Sequence, residues 1–297
     1  MNYELMSLAP MPQVRIAFVG LGARGRMAVE RWCNLQHVAI VAFCDVKDEN
    51  VHAANEIAER YDRKVLATYS GERAYEAMCL RSDIDLVYVC TDWQSHTEIA
   101  LCAMEYGKSV AIEVPAVLTV DDAWLLVRCA ERKKLHCMML ENTLYDDLEM
   151  AVCEMIHSGL LGEMVHGEGG YAHCLGERWN TWRMEYNRTH KGDVYPTHGI
   201  GPICKAFDIH RTDSFDYLVS VDTASFSGKE TYREIMGHGC EDFMNGDQTT
   251  TLIRTRRGRT ITINHNVMYP RPYDRMFQIV GAHGYVAKYP VRQMYLD

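Results

Sequence analysis

An α/β chain of two domains is predicted, an N-terminal Rossmann-type doubly wound parallel sheet followed by a C-terminal α+β domain on a mixed, largely antiparallel sheet. Three features predict it. From Val14 onward short β-branched runs alternate with helical periodicity, the pattern of repeated βαβ units. The first of those runs leads straight into a glycine-spaced turn. Past Gly159 the texture changes to Gly-rich and aromatic segments with alternating strands. A length of 297 residues suits two domains at roughly 150 each. The domains read as residues 1–143 and 144–297.

In chain order, the first-domain strands are VRIAFVG (14–20), VAIVAFC (38–44), KVLATY (64–69), IDLVYVC (84–90), SVAIEV (109–114) and HCMMLE (136–141). These runs are apolar on both faces, as strands covered by helices on both sides must be. Apolar residues at helical spacing predict helices over 24–35, 48–61, 95–106 and 120–134. Thr119 with Asp122 three residues on resembles a capping box, and Gly107 suits a helix C′ position. A further amphipathic helix over 146–158 stops at Gly159. The second-domain strands are MVHGEGGYAH (164–173), FDYLVSVDTASF (215–226), TTTLIRT (249–255), RTITINHNV (259–267) and FQIVG (277–281). The pair flanking Arg256, Arg257 and Gly258 reads as a hairpin with a solvated basic tip.

Composition removes several functions. Hydrophobic residues make up 47% and charged residues 24%, near the soluble average, and no stretch approaches the roughly 18 apolar residues of a membrane span. A net charge of −9 would repel a phosphate backbone, so nucleic acid is not an expected partner. The 11 cysteines contain no C-x-x-C, and their placement in apolar runs (Cys44, Cys90, Cys102) reads as free thiols in a reducing compartment, with no metal site. The first residues lack a basic n-region and an apolar h-region, so the expected location is cytoplasmic, and periplasmic if an export signal was trimmed.

The strand VRIAFVG runs into Gly20-x-Gly22-x-x-Gly25, with Ala23 and Arg24 between, and then into a helix. Strand, turn and helix in that order are the context a dinucleotide fingerprint requires. The glycines permit a tight turn and close approach of backbone to a diphosphate at the helix N-terminus. Asp45 ends the second strand, where a carboxylate accepts from adenosine ribose hydroxyls, and this favours NAD over NADP. As a strand-end surface carboxylate, Asp45 is expected to contribute little to stability. Ligands in open parallel sheets lie beyond the C-terminal strand ends. The residues there are Thr91, Trp93 and His96, then Glu113 and Val114, then Glu141 and Asn142.

These residues resemble the Gfo/Idh/MocA oxidoreductase superfamily and, more narrowly, the NAD-dependent α-N-acetylgalactosaminidases of glycoside hydrolase family 109. The narrower resemblance rests on AIEVPA (111–116), HCMMLEN (136–142), WRMEYN (182–187), GDVYPTHGIGP (192–202), GDQTTTLIRT (246–255), PRPYDR (270–275) and GYVAKYP (284–290). Ordinary sugar dehydrogenases of the superfamily carry Glu-Lys-Pro where this chain has Glu113-Val114-Pro115, and Val114 cannot move a proton. The resemblance implies an NAD site built from Gly20, Gly22, Ala23, Arg24, Gly25, Asp45, Thr91, Trp93, His96, Glu113, Val114 and Asn142. It places Tyr171, Arg183, Tyr195, His198 and Tyr273 around a small-molecule glycoside, with His198, Tyr171 and Tyr195 as the catalytic set. The implied reaction is transient oxidation at C3, elimination across C1–C2, water addition and re-reduction. An NAD-dependent sugar dehydrogenase and a non-catalytic NAD-binding sensor stand as alternatives. A homo-oligomer through the open face of the second sheet is a further expectation.

Overall fold

The structure, a computed structural model, describes residues 9–175 and 181–297. The chain divides into two units, Met1–Leu140 and Glu141–Asp297.

In the first unit β1 (Val14–Val19), β2 (Val38–Asp45), β3 (Ala67–Ser70), β4 (Leu86–Val89), β5 (Ser109–Ile112) and β6 (Cys137–Met139) form one parallel sheet. Its order is β3-β2-β1-β4-β5-β6, the doubly wound arrangement. Parallel neighbours need crossovers, and α1 (Ala23–Cys33), α2 (Asp48–Arg60), α3 (Ala74–Cys79), α4 (His96–Glu105) and α5 (Val120–Lys133) supply them. Side-chain alternation along β1 builds both layers. Ile16 and Phe18 share a core with Val29 of α1 and Ala54 of α2, whereas Ala17 and Val19 share one with Ala103 of α4 and Leu126 of α5. The predicted caps are present: Thr119 Oγ1 accepts from the Asp122 amide at 3.1 Å, and Gly107 adopts φ +78°. The α3 helix has only six residues, too short to leave a periodic signal.

In the second unit α6 (Asp147–His157) precedes β7 (Met164–Ala172), and α7 (Thr181–Thr189) and α8 (Thr197–Ala206) follow. Then come β8 (Phe215–Asp222), α9 (Ser227–Met236), β9 (Thr249–Thr255), β10 (Thr260–Asn266), β11 (Gln278–Gly281), β12 (Gly284–Ala287) and β13 (Gln293–Leu296). These strands make one sheet in the order β13-β12-β11-β7-β10-β9-β8, antiparallel throughout except where β7 meets β10. One face packs Ile253, Ile261, Ile263 and Ile279 against Val152 of α6 and Ile203 of α8. Tyr217, Val219, Val221 and Leu252 are exposed on the other. The β9–β10 hairpin forms as expected, but its basic tip is not wholly solvated: Arg259 donates to the Phe207 carbonyl at 3.1 Å and lies 3.4 Å from Glu163.

Among the described residues no helix is long and apolar enough to cross a membrane, and no group of three or more His, Cys, Asp or Glu side chains is placed to hold a metal ion.

Candidate functional site

The strand order of the first unit reverses between β1 and β4, and the glycine turn follows β1 directly. Gly20 has φ +89°, and a Cβ there would sit 2.4 Å from the Cys90 carbonyl oxygen. At Gly25 a Cβ would meet the Gly20 oxygen at 2.0 Å, so neither position admits a side chain. Gly22 differs: nothing lies within 4 Å of its would-be Cβ, and this exposed residue, followed by exposed Ala23, caps α1 without a side-chain hydrogen bond. The first turn of α1 carries no acidic residue. Backbone N–H groups and the positive helix end are thus presented to open space, which fits the diphosphate of a dinucleotide.

Asp45 departs from the expectation of an exposed strand-end carboxylate. It is buried, at 7% exposure. Oδ2 accepts from the Leu21 amide at 2.6 Å, and Oδ1 accepts from the Lys47 amide at 2.9 Å and Asn50 Nδ2 at 3.0 Å. Three of the roughly four acceptor positions of a carboxylate are therefore taken, and one of the donors belongs to the glycine turn itself. Asp45 ties that turn to β2, so the idea that it contributes little to stability is corrected.

The remaining first-unit candidates occupy strand ends. Thr91 follows β4 and its hydroxyl accepts from Ser95 Oγ at 2.7 Å. Trp93 is buried. His96 is buried with Nδ1 2.8 Å from the Pro115 carbonyl and Nε2 3.3 Å from that of Thr91. Burial lowers the imidazole pKa, against the raising effect of those two carbonyls. Glu113 accepts from Arg24 Nε at 2.9 Å and from the Tyr88 hydroxyl at 2.5 Å, and Val114 beside it is buried.

In the second unit a packing rule sets the geometry. On the face of β7 that meets α8, alternate residues are Gly167, Gly169 and Tyr171. A Cβ on Gly169 would lie 2.2 Å from the Gly199 oxygen, and one on Gly167 would lie 2.6 Å from Ile203. The two glycines let α8 descend onto the strand. Tyr171, the first residue of that row with a side chain, projects past the helix start. There it meets His198 at a ring separation of 4.9 Å, Tyr195 at 5.5 Å and Tyr273 at 6.3 Å. Tyr195 and His198 are themselves 4.9 Å apart. Burial, opposed by the Arg275 charge, pushes the Tyr273 hydroxyl up to about 12.

Four of the five sugar-side candidates are thus gathered in one cluster. Arg183 is carried instead on α7, its guanidinium 4.5 Å over the Trp182 ring. Asn142 is exposed and opens a short 3₁₀ turn, Asn142–Tyr145.

The sequence placed Glu141 only among the strand ends of the first domain and did not single out His173, yet both belong to this cluster. Glu141 is buried and accepts from His198 Nδ1 at 2.7 Å, from the Thr143 amide at 3.0 Å and from the Thr143 hydroxyl at 2.7 Å, all on Oε1. Burial pushes its carboxyl up, yet the hydrogen bonds and charge of His198 and the Thr143 donors outweigh this and hold it below the ordinary glutamate value. A carboxylate accepts only, so the His198 proton sits on Nδ1 and Nε2 is left for exchange. Gly201 makes room for this pair, since a Cβ there would be 3.2 Å from Glu141 Cγ. His173, two residues beyond Tyr171, has its Nδ1 3.1 Å from the Tyr171 hydroxyl. Position at a strand end was the available signal for both.

Comparison with known proteins agrees with both halves. Residues 14–141 match the oxidoreductase family with an NAD-binding Rossmann fold, and residues 176–297 match the glycosyl hydrolase 109 C-terminal domain. A glycosyl hydrolase family 109 protein of Bacteroides fragilis is 50% identical over 285 residues, covering 94% of this chain and 61% of the relative. One of Porphyromonas gingivalis is 48% identical over 287 residues, covering 95% of this chain and 61% of the relative. The chain therefore spans about 61% of the length of these relatives. Among solved structures, myo-inositol dehydrogenase from Lactobacillus casei in complex with NAD(H) and myo-inositol superposes with TM-score 0.71 at 17% identity, over 96% of this chain and 80% of that one. A levoglucosan dehydrogenase with NADH gives 0.75 at 16%, with the same coverage. At that identity the likeness is one of fold. The two domain matches and the relatives near 50% identity agree: the chain joins an NAD-binding Rossmann domain of the Gfo/Idh/MocA oxidoreductase family, with NAD as cofactor, to the C-terminal domain of the glycosyl hydrolase 109 family.

Proposed function

We propose that the protein is an NAD-dependent glycosidase acting on an α-N-acetylgalactosaminide or similar glycoside. The observation that carries this reading is the cluster of Tyr171, Tyr195 and His198, with His198 anchored through Nδ1 to a buried carboxylate. The glycine turn, Asp45 and the strand-end residues Thr91, Trp93, His96, Glu113 and Val114 are the groups assigned to hold NAD, together with Asn142. When bound, NAD supplies a place for hydride from the sugar's C3 and its later return. The rest is proton transfer by side chains.

Oxidation at C3 acidifies the neighbouring C2 proton. Tyr171 and His198, with Tyr195 in support, take that proton and exchange the one needed at the departing C1 oxygen, after which water adds across the double bond. His198 suits this exchange through Nε2, because Nδ1 is committed to Glu141. The Tyr171 hydroxyl lies 3.1 Å from His173 Nδ1, a ring nitrogen able to share a proton with it. Arg183 and Tyr273 are assigned to grip the sugar. Val114 supports the glycosidase over a plain dehydrogenase, because an aliphatic side chain stands where a dehydrogenase lysine would assist the hydroxyl.

The test is redox balance on an aryl α-N-acetylgalactosaminide with NAD below substrate concentration. Many turnovers per NAD, no net NADH, and deuterium at C2 of the sugar released in D₂O are expected. Stoichiometric NADH with an oxidised sugar as product would overturn the reading in favour of a dehydrogenase, and NAD binding without either reaction would favour a sensor.

A further inference from the structure

Strand register places four polar residues in a single row on the α8 face of the second sheet. Asp222 of β8 pairs with Thr249 of β9, Thr249 with His265 of β10, and His265 with Tyr171 of β7. The segment between α7 and α8 meets this row at successive points. Asp222 Oδ2 accepts from the Gly192 amide at 3.0 Å, and Asp222 also accepts from the Thr249 hydroxyl. His265 Nε2 lies 3.7 Å from Asp193 Oδ1, the oxygen that accepts from the Tyr195 amide at 3.0 Å. Tyr171 meets the Tyr195 ring. Gly192 at φ +90° lets the chain turn so that each contact is made in order.

His265 is 2% exposed, and among the described residues its Nε2 makes no hydrogen bond. A buried polar atom without a partner is uncommon, and here the nearest acid is Asp193. Asp193 is itself enclosed. Burial pushes its carboxyl up, His265 and the Tyr195 amide draw it back, and Asp222 adds like-charge repulsion. A carboxylate enclosed to this extent, its side chain 12% exposed, holds its place more firmly when compensated. His265 is the basic group facing it.

We propose that His265, acting through Asp193, is a positioning residue for Tyr195. The imidazole holds the Asp193 carboxylate, which fixes the Tyr195 amide and so the height of the Tyr195 ring over Tyr171 and the entry of the chain into α8. This rests on the reading above only in taking Tyr195 as a site residue. It concerns Asp193 and His265, neither of which lies in the cluster of rings. Displacement of a site group by about 1 Å is enough to lower turnover on the order of 10²-fold, so a residue that never touches substrate can matter as much as one that does.

Two measurements on the full chain test this. Amide hydrogen exchange compares the wild type with His265→Leu, His265→Gln and Asp193→Ala. Faster exchange confined to residues 190–198 in His265→Leu and Asp193→Ala, largely restored in His265→Gln, is expected. Unchanged protection of that segment, or equal loss across β9 and β10, would overturn the positioning role and leave His265 a core residue. Kinetics on the aryl glycoside then compare His265→Leu, Tyr195→Phe and the double variant. The double variant should be no slower than the worse single one, because both act through the same ring, and multiplied losses would refute the coupling. If His265→Leu does not fold, the comparison runs through Asp193→Asn, which keeps an acceptor for Tyr195 but not the charge facing His265. A wild type that binds NAD but cleaves no glycoside would count against the glycosidase reading alone, and the exchange pattern would still decide the role of His265.

Discussion

Asp45→Ala removes three hydrogen bonds at once, and their surroundings decide the size of the effect. The Leu21 amide is enclosed with the carboxylate, so it is left without an acceptor, a loss of about 1–3 kcal/mol. The Lys47 amide and Asn50 side chain are partly exposed and regain water, adding on the order of 1 kcal/mol. The sum, about 2–4 kcal/mol, corresponds to roughly 5–15 °C in the first thermal transition for a unit of this size. Cofactor binding should change with it. In the wild type a 2′-phosphate would be brought against the Asp45 carboxylate in a poorly solvated site, so NAD should bind more tightly than NADP. The variant should lose that discrimination, and its NAD affinity should also fall because the glycine turn is no longer tied to β2. Differential scanning calorimetry and titration of both cofactors measure the two effects separately. A variant melting within about 1 °C of the wild type would refute the hydrogen-bond argument. Equal affinity of the wild type for NAD and NADP would refute the ribose assignment.

His198→Ala and Tyr171→Phe should each lower kcat by roughly 10²–10⁴ while NAD still binds, and near-wild-type turnover in either would make that residue structural. Gly199→Ala places a Cβ 2.8 Å from the Gly170 nitrogen, forcing α8 off β7 and carrying His198 away from Tyr171. A loss of about 1–3 kcal/mol together with reduced turnover is expected, checked by chemical denaturation and the glycoside assay. Glu141 is held below the ordinary glutamate value of 4.5, so its stabilisation is complete above that pH and is lost as pH falls through the lowered value. Unfolding midpoints measured across that range should fall less steeply for Glu141→Gln than for the wild type.

The fold of the first unit was legible because its central strands are apolar on both faces and its longer helices carry a clean period, so pattern and packing agree. Helix ends moved by one or two residues, as at Cys33 and Glu105, where fraying leaves no sequence mark. In the second unit α8 was not legible. Gly199, Gly201 and Pro202 are poor helix formers, and what makes THGIGPICKA a helix is its close fit on Gly167 and Gly169 of another element. The Pro202 ring also removes the amide that would have bonded the His198 carbonyl, and the Thr143 hydroxyl stands 3.5 Å from that oxygen. Glu141 was visible as a strand-end residue but not as the partner of His198, because the pairing crosses 57 positions of sequence.

Glycine carries both sites, and for opposite physical reasons. In Gly20-x-Gly22-x-x-Gly25 the outer two glycines admit the protein's own backbone, and Gly22 leaves space that nothing in the protein fills. In Gly167-x-Gly169-Gly170 every missing side chain is replaced by protein: Ile203 and Phe207, the Gly199 backbone, and the Asn264 carbonyl with Met276. The first pattern leaves the backbone open to solvent at Gly22, and the second is a joint between strand and helix. Spacing alone does not separate them, since both follow or occupy a strand and both precede a helix. The separation comes from what the strand presents next. After β1 the chain turns at once into a bare helix N-terminus, whereas β7 continues to Tyr171, whose ring needs the lowered helix beside it to reach Tyr195 and His198.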